Sequence, residues 1–170
     1  MDSTVPEHLL EEQQAVEAQI RAAFKGVTRE GGISWSESEV VDGYGLDNER
    51  AAAKALDTEQ SWEELVDDPK WREDFGVGGF CFLDAVGFRY YIAPAIIRWT
   101  RRGEGEAFTL ENPVAGCLDL INPEQGLAIA RFVRFMIATY APDNEDIFGY
   151  SWQDVYEKSW REWDSQVEPR

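Results

Sequence analysis

Two segments of this chain carry apolar residues at the same helical spacing, and they constrain its fold more than any other feature. In residues 80–102, counting from Phe88, offsets 0, 3, 4, 7, 8 and 11 hold Phe88, Tyr91, Ile92, Ala95, Ile96 and Trp99. In residues 122–140, counting from Ile129, the same offsets hold Ile129, Phe132, Val133, Met136, Ile137 and Tyr140. This spacing places apolar side chains along one side of an α-helix. The sequence therefore predicts two central helices that face one hydrophobic core.

A proline interrupts the first of these segments. Pro94 has no backbone N–H to donate, and inside a helix its ring would crowd the carbonyl of Tyr90, at a cost of about 3 kcal/mol. Two outcomes stay open: one helix kinks at Pro94, or a second helix begins at Ala93 and Pro94.

Further helix signals flank these segments. An amphipathic pattern near the N-terminus predicts a helix over residues 6–26. Ser151, with an aspartate three residues later, is typical of a helix N-cap and predicts a C-terminal helix over 151–165. Residues 60–140 form the predicted central core between them.

Strong helix propensity after Asp47 and a capping pattern at Ser61 predict further short helices, whereas two other segments predict little regular helix. Residues 29–45 are rich in glycine, serine and acidic residues, so we expect a loop there, with at most a short strand where Ile33 and Trp35 alternate. Residues 107–110 are a second possible strand. A chain of 170 residues corresponds to one domain. We therefore expect a single globular domain over residues 1–170, mainly α, with five to seven helices around two central aromatic helices and at most a short β element.

Charge is distributed unevenly along the chain. The net charge is −17; residues 1–75 contain 19 acidic and 7 basic side chains, whereas residues 76–140 contain 6 of each. Guanidinium groups suit partly buried pairing with carboxylates. We therefore expect the central bases to pair with the acidic flanks, or some of them to face a ligand. All are arginines: Arg89, Arg98, Arg101, Arg102, Arg131 and Arg134.

The negative charge also restricts the class of partner. Proteins that bind nucleic acid or anionic membranes take much of their affinity from lysine and arginine, so neither partner is expected here. A basic protein would be attracted instead. The N-terminus has no signal-peptide pattern, and no run reaches the ~18 apolar residues that span a bilayer. We expect a cytoplasmic protein, and its oligomeric state stays open.

Few residues suggest catalysis or metal binding. The single histidine, His8, lies in the first turn of an exposed helix, which disfavours histidine-based catalysis. One histidine with two distant cysteines does not make a zinc site. Cys81 and Cys117 lie in apolar surroundings, so we expect both to be reduced and buried. The sequence predicts no cofactor and no metal, and it favours a binding protein over an enzyme.

Candidate binding residues fall in two places. Asp84 follows an apolar run and is either a buried acceptor or a helix N-cap, and Arg89 and Tyr90 follow it as candidate pocket residues. On the C-terminal helix, aromatic residues alternate with acids and resemble the rigid anchors that dominate binding hot spots. The same residues also suit docking of this helix to the core. They are Trp152, Tyr156, Trp160 and Trp163.

These observations predict a non-catalytic acidic domain that binds a basic protein. Its specific form, by analogy with small acidic bacterial domains, is an immunity protein that neutralises a basic toxin. The alternative is a small-molecule binder or carboxylate-dependent hydrolase with a pocket between the two aromatic helices. A weaker alternative is a nucleic-acid mimic, whose acidic side chains imitate phosphates.

The segment FLDAVGFRYYIAPAIIRW, followed by LDLINPEQGLAIARFVRFM, resembles an uncharacterised family of small, mostly bacterial proteins, a domain of unknown function. That family combines an aromatic F-x-Y-Y-x-x-P helix with a later helix start that contains P-E-Q. The resemblance covers about residues 62–140, with weaker similarity around residues 20–24. It implies a mostly helical fold and a bacterial origin, and it carries over no activity and no functional residue.

Overall fold

Helices account for the regular structure of this chain, which is seen in a computed structural model describing residues 5–73, 78–111, 113, 115–139 and 149–165. Short 3-10 turns occupy Glu7–Leu9 and Gly79–Phe82, and a π-helical turn, Tyr156–Trp160, joins the last two helices. No strand occurs in the described ranges, which confirms the mainly-α prediction. The α-helices are α1 (Leu10–Ala23), α2 (Trp35–Asp42), α3 (Asp47–Lys54), α4 (Trp62–Asp67), α5 (Ala85–Arg102), α6 (Ala107–Glu111), α7 (Pro123–Thr139), α8 (Trp152–Val155) and α9 (Arg161–Ser165).

The predicted helix starts at α7 and α8 are present, and side chains cap both. The Asn122 side-chain oxygen accepts a hydrogen bond from the Gln125 amide at 2.8 Å. The Ser151 hydroxyl accepts one from the Asp154 amide at 3.1 Å. Such caps satisfy amides that the first turn of a helix leaves without partners. The predicted last residue of the second aromatic helix, at position 140, lies outside the described residues.

α5 runs through Pro94 as one helix, so no second helix begins there. The side chains on both sides of the proline explain why the helix continues. Tyr91, Ile92, Ala95 and Ile96 are all fully buried. Burial of a large apolar side chain contributes about 1.5–3 kcal/mol. Several such residues therefore offset the cost of about 3 kcal/mol for one interior proline.

Two segments that were expected to be loop or strand are helical. α2 lies in the middle of residues 29–45, and α6 covers residues 107–110. A reciprocal cap starts α2: the Ser34 hydroxyl accepts from the Glu37 amide at 3.4 Å, and the Ser34 amide donates to the Glu37 carboxylate at 3.0 Å. The prediction was wrong because helices of eight and five residues offer too few apolar positions for a helical period to show.

The chain divides into two compact units. The terminal unit contains residues 1–25, 96–112 and 121–170, and the central unit contains residues 26–95 and 113–120. The expectation of one domain stays a prediction. None of the helices in the described ranges combines the length and the apolar character needed to cross a membrane.

The terminal unit is built around α7, which packs against α1, α8 and α9. Most of its predicted apolar face is buried: Ile129, Phe132, Val133 and Met136 are fully buried, and Ile137 is half-buried. The Phe132 ring meets the Trp152 ring edge-on, with centroids 5.5 Å apart. α7 is therefore a central helix of this unit, as its spacing predicted.

Arginines of the terminal unit pair with acids from the flanks of the sequence, as the charge distribution predicted. Three such pairs are Glu17–Arg101, Glu12–Arg131 and Arg134–Asp164. The first joins α1 to the end of α5 at 2.7 Å, and the second joins α1 to α7 at 2.6 Å. The third joins α7 to α9.

Gly126 leaves the space that the Trp163 ring occupies. An alanine Cβ at position 126 would lie 1.8 Å from the Trp163 Cε3 atom. Glycine to alanine inside a helix normally stabilises by roughly 0.5–1 kcal/mol. Here the overlap reverses the sign, and we expect Gly126→Ala to lower the free energy of unfolding by about 1–3 kcal/mol in urea denaturation.

Gly43→Ala is the matched control for this substitution. Gly43 has a φ of −80°, and the nearest atom to an added Cβ there would be the Glu39 carbonyl oxygen at 3.5 Å. We expect its free energy of unfolding to stay within about 0.5 kcal/mol of the wild-type value or to exceed it. Equal losses in both variants would contradict the packing of Trp163 against Gly126.

The Glu17–Arg101 pair predicts a pH dependence of stability. The hydrogen bond from Arg101 lowers the pKa of Glu17, although partial burial opposes the shift. A carboxyl group with a lowered folded-state pKa stabilises the fold above its unfolded pKa, and this contribution disappears as the pH falls through the folded pKa. Glu17→Gln should therefore be less stable than wild type at about pH 7, and the two should converge toward about pH 2 in urea denaturation. A difference that is independent of pH would contradict this prediction.

Candidate functional site

A cavity of about 600 Å³ lies in the central unit. Its wall is formed by two helices, α2 and α4, and by the two segments that follow α3 and α4. Five of its lining residues are acidic and two are basic, so its charge is negative. The acids are Glu39, Asp57, Glu59, Glu64 and Asp68, and the bases are Lys70 and Arg72.

Two tryptophans form the aromatic part of the wall. The Trp35 and Trp71 rings meet edge to face, with centroids 5.3 Å apart and planes 72° apart. Trp35 also lies 5.1 Å from the Phe80 ring and 5.3 Å from the Tyr91 ring. Trp71 is buried, whereas Trp35 is only half-buried. The cavity therefore has an aromatic wall of contacting rings, and Trp35 keeps exposed surface there.

Hydrogen bonds from outside α2 hold its first residues in place. The Trp35 amide donates to the Tyr91 hydroxyl at 2.9 Å. Next along the chain, the Ser36 amide donates to the Asp57 carboxylate at 2.8 Å, and the Ser36 hydroxyl donates to the same carboxylate at 2.6 Å. The first amides of a helix have no partner within it. Tyr91 and Asp57 supply that partner, and they thereby position Trp35 at the cavity.

A partly buried ion pair lies beside this helix start. The Glu59 carboxylate accepts from the Arg29 guanidinium at 2.8 Å and from the Tyr91 hydroxyl at 3.4 Å. Arg29 also donates to the Asp57 carbonyl at 2.6 Å. Burial raises the pKa of Tyr91 far above its usual range, and the Glu59 charge raises it further. Tyr91 therefore stays protonated; its hydroxyl donates a hydrogen bond to Glu59 and accepts one from the Trp35 amide.

Glu39 and Glu64 differ from these acids because they are exposed. Within the part of the chain that the structure describes, neither carboxylate forms an ion pair. Their charges are therefore available to a ligand. No three His, Cys, Asp or Glu side chains in the described ranges are grouped in a way that could hold a metal ion.

Three predicted site residues lie near α5, and none lines this cavity. Asp84 caps the helix: its Oδ1 accepts from the Gly87 amide at 2.9 Å, and from the Ile33 amide at 3.1 Å. Arg89 donates to the Leu120 carbonyl at 3.5 Å. Tyr90 is buried, and its burial raises its pKa far above the usual range.

The four predicted residues of the C-terminal helix lie in the terminal unit. Trp152 and Trp160 are buried, and the Trp160 indole donates to the Leu110 carbonyl at 2.9 Å. Tyr156 and Trp163 are half-buried, and the Tyr156 hydroxyl donates to Asp164 at 2.5 Å. The burial of Trp152 and Trp160 fixes the last helical segment to its unit, and Tyr156 and Trp163 keep exposed surface.

Both cysteines are free, as predicted, but only one of them is buried. The Cys117 thiol is buried and donates to the Leu83 carbonyl at 3.5 Å. Cys81 is exposed, which corrects the prediction for that residue. The reason is local: in the 3-10 turn Gly79–Phe82, Phe80 takes the buried position next to it.

One local signal in the sequence indicates the helix that carries this site. Ser34 and Glu37 match the S-x-x-E capping pattern, which predicts a helix start at Trp35. That helix would place Trp35 and Glu39 one turn apart on one face. No such signal links α2 to Trp71 or to the segment between α3 and α4, since their meeting depends on tertiary structure.

The family described as a family of unknown function, DUF6714, matches residues 12–106. The match covers more than half of the chain, and the chain belongs to this family. It confirms the resemblance to an uncharacterised family and contains every residue that lines the cavity. The match begins earlier than expected, and it does not include the P-E-Q helix start of α7. No curated protein and no solved structure matches the chain significantly.

The hydrogen bonds of Tyr91 predict a loss of stability when its hydroxyl is removed. Tyr91→Phe leaves the Trp35 amide without its acceptor, so we expect the free energy of unfolding to fall by about 1–3 kcal/mol in urea denaturation. Tyr44→Phe is the matched control, because Tyr44 is 95% exposed. Its effect should stay within about 0.5 kcal/mol. A Tyr91→Phe variant as stable as wild type would contradict the role of this hydroxyl.

Proposed function

We propose that this domain is a non-catalytic binding protein that captures a basic protein, and that the acidic cavity receives a cationic side chain of that partner. One observation carries the proposal: a cavity with two tryptophans in its wall has two exposed carboxylates, Glu39 and Glu64, that form no ion pair in the described part of the chain. Carboxylates and an indole ring together are complementary to a cation.

Lysine and arginine have the chemistry that this cavity fits. A cation over an indole face gains about 0.5–2 kcal/mol, and more as water is excluded. The carboxylates of Glu39 and Glu64 add attraction that is weak in water and stronger once a partner covers them. The cavity volume of about 600 Å³ lies in the usual range of ligand sites. It would accommodate a long cationic side chain together with adjacent atoms of a peptide.

The charge of the central unit supports a basic partner. Its residues, 26–95 and 113–120, include 16 acidic and 6 basic side chains. Three of those bases are engaged internally, Arg29 by Glu59 and both Arg50 and Lys54 by the buried Glu37. A surface with such an excess of one sign accelerates association with a partner of the opposite sign, and salt weakens the effect.

A small organic cation is the second candidate ligand, because the volume and the charge of the cavity suit it equally. The narrower form of the first proposal, an immunity protein that neutralises a basic toxin, rests on the net charge and on analogy. Bacterial origin and a cytoplasmic location belong to that narrower form.

The proposal predicts selective binding of basic peptides. A capped arginine-rich peptide should bind in isothermal titration calorimetry at low salt, and the same peptide with glutamine in place of arginine should not. Glu39→Gln combined with Glu64→Gln should weaken binding roughly three- to thirtyfold, because two attractive charges are removed from the cavity. Guanidinium ion serves as the small-cation probe, and equal affinity for it would favour the second candidate.

The control removes two charges elsewhere. Glu11 and Glu63 do not line the cavity, and Glu63 is the direct neighbour of Glu64 in α4. Glu11→Gln combined with Glu63→Gln changes the net charge equally and should leave the affinity within about twofold. Equal losses in both double variants would show general attraction rather than a cavity site. No binding of the arginine-rich peptide would overturn the proposal.

A further inference from the structure

Tyr44 has a backbone conformation that side chains rarely adopt. Its φ is +56°, and it is the one non-glycine residue with positive φ in the described ranges. It lies between Gly43 and Gly45, directly after α2. Two hydrogen bonds hold this turn: the Gly45 amide donates to the Val40 carbonyl at 2.8 Å, and the Tyr44 amide donates to the Val41 carbonyl at 3.1 Å.

This pair of bonds is the Schellman motif, in which the first residue beyond the helix cap adopts the left-handed conformation. Glycine usually occupies that position, because a Cβ there crowds the backbone. Tyr44 occupies it in this chain. The glycines at positions 43 and 45 flank the left-handed residue but do not occupy its position. The turn is therefore less stable with tyrosine at position 44 than it would be with glycine there.

The Tyr44 side chain does not compensate for this strain. It is 95% exposed and, in the described part of the chain, makes no hydrogen bond or ring contact. Leu46, two residues later, is 68% exposed. Strained residues persist where function needs them, and tyrosine is among the residues that dominate binding hot spots. An exposed tyrosine in a strained turn therefore points to a contact with another molecule.

We propose that Tyr44 and Leu46 anchor a protein interface, and that the partner has a basic surface with an apolar recess for the Tyr44 ring. The charge around the anchor identifies the partner as basic: residues 39–49 include four acids and no base. In this respect the inference rests on the proposed function. An apolar anchor within an acidic rim matches the usual anatomy of an interface.

The anchor and the cavity lie at opposite ends of α2. Trp35 is the first residue of α2 and lines the cavity, and Tyr44 comes just after its last residue. Eight helical residues span about 12 Å. An interface of standard size, about 800 Å² on each partner, is large enough to include both. The contribution of the Tyr44 anchor and that of the cavity carboxylates can therefore be tested separately in the same complex.

The experiment uses the full chain with the photoreactive residue p-benzoylphenylalanine at position 44, in extract of the organism that encodes the chain. The same residue at Leu10, which is partly exposed in the terminal unit, is the control. The captured protein is identified, purified and titrated against wild type, Tyr44→Gly, and the Glu39→Gln and Glu64→Gln double variant. Thermal unfolding of Tyr44→Gly is measured in parallel.

The expected result has three parts. A basic protein is cross-linked from position 44 and not from position 10. Tyr44→Gly weakens its binding at least roughly tenfold. The same variant raises the unfolding temperature by about 2–4 °C, because glycine relieves the turn. A loss of binding in a more stable variant excludes misfolding as its cause.

Other outcomes overturn the inference. These are no cross-link above the Leu10 control, an acidic partner, a second copy of this chain, a basic partner that binds Tyr44→Gly with unchanged affinity, or a Tyr44→Gly variant that is not stabilised. If binding falls in the double variant at Glu39 and Glu64 but not in Tyr44→Gly, the proposed function stands and the anchor does not. If it falls only in Tyr44→Gly, the anchor stands and the role of the cavity does not.

Discussion

The organisation of the central unit depends on the amide groups at the start of α2, which need acceptors from outside the helix. Tyr91 and Asp57 supply two of them. Tyr91 comes from α5 and Asp57 from the segment that follows α3, so one helix start joins three parts of the chain. Because Trp35 is the first residue of α2, the same bonds determine where the aromatic wall of the cavity lies. The position of the cavity wall is thus a consequence of hydrogen bonds that the backbone needs in any case.

This arrangement divides the acidic residues at the cavity into two sets. Asp57 and Glu59 are used within the fold, where Asp57 accepts from the Ser36 amide and Glu59 pairs with Arg29. Glu39 and Glu64 are exposed and form no ion pair in the described residues. The net charge alone therefore does not indicate which acids can bind a ligand. Only carboxylates that are exposed and not paired within the fold can do so.

Sequence reasoning identified the elements that have a long apolar period. The stripes of α5 and α7, and the caps at Asn122 and Ser151, need only local information, and the structure contains them. Short helices such as α2 were missed because their positions are decided by caps and by distant partners rather than by periodicity. The cavity was beyond prediction for the same reason.

The residues predicted as a site from the apolar segment have structural roles. Asp84 caps α5, and Tyr90 is buried in the core. Residues at the cavity, such as Trp35 and Glu39, are ordinary in sequence and form a candidate site only because tertiary structure brings separate segments together. Proximity in space, and not residue type, distinguishes them.

The contact between Gly126 and Trp163 has a consequence for the evolution of this chain. The tryptophan ring fills space that any side chain at position 126 would need. The two positions are therefore not free to change independently. Relatives in which residue 126 carries a side chain should have a smaller residue at 163, or a C-terminal helix shifted along α7. Paired substitution at these positions would be the record of that constraint in an alignment.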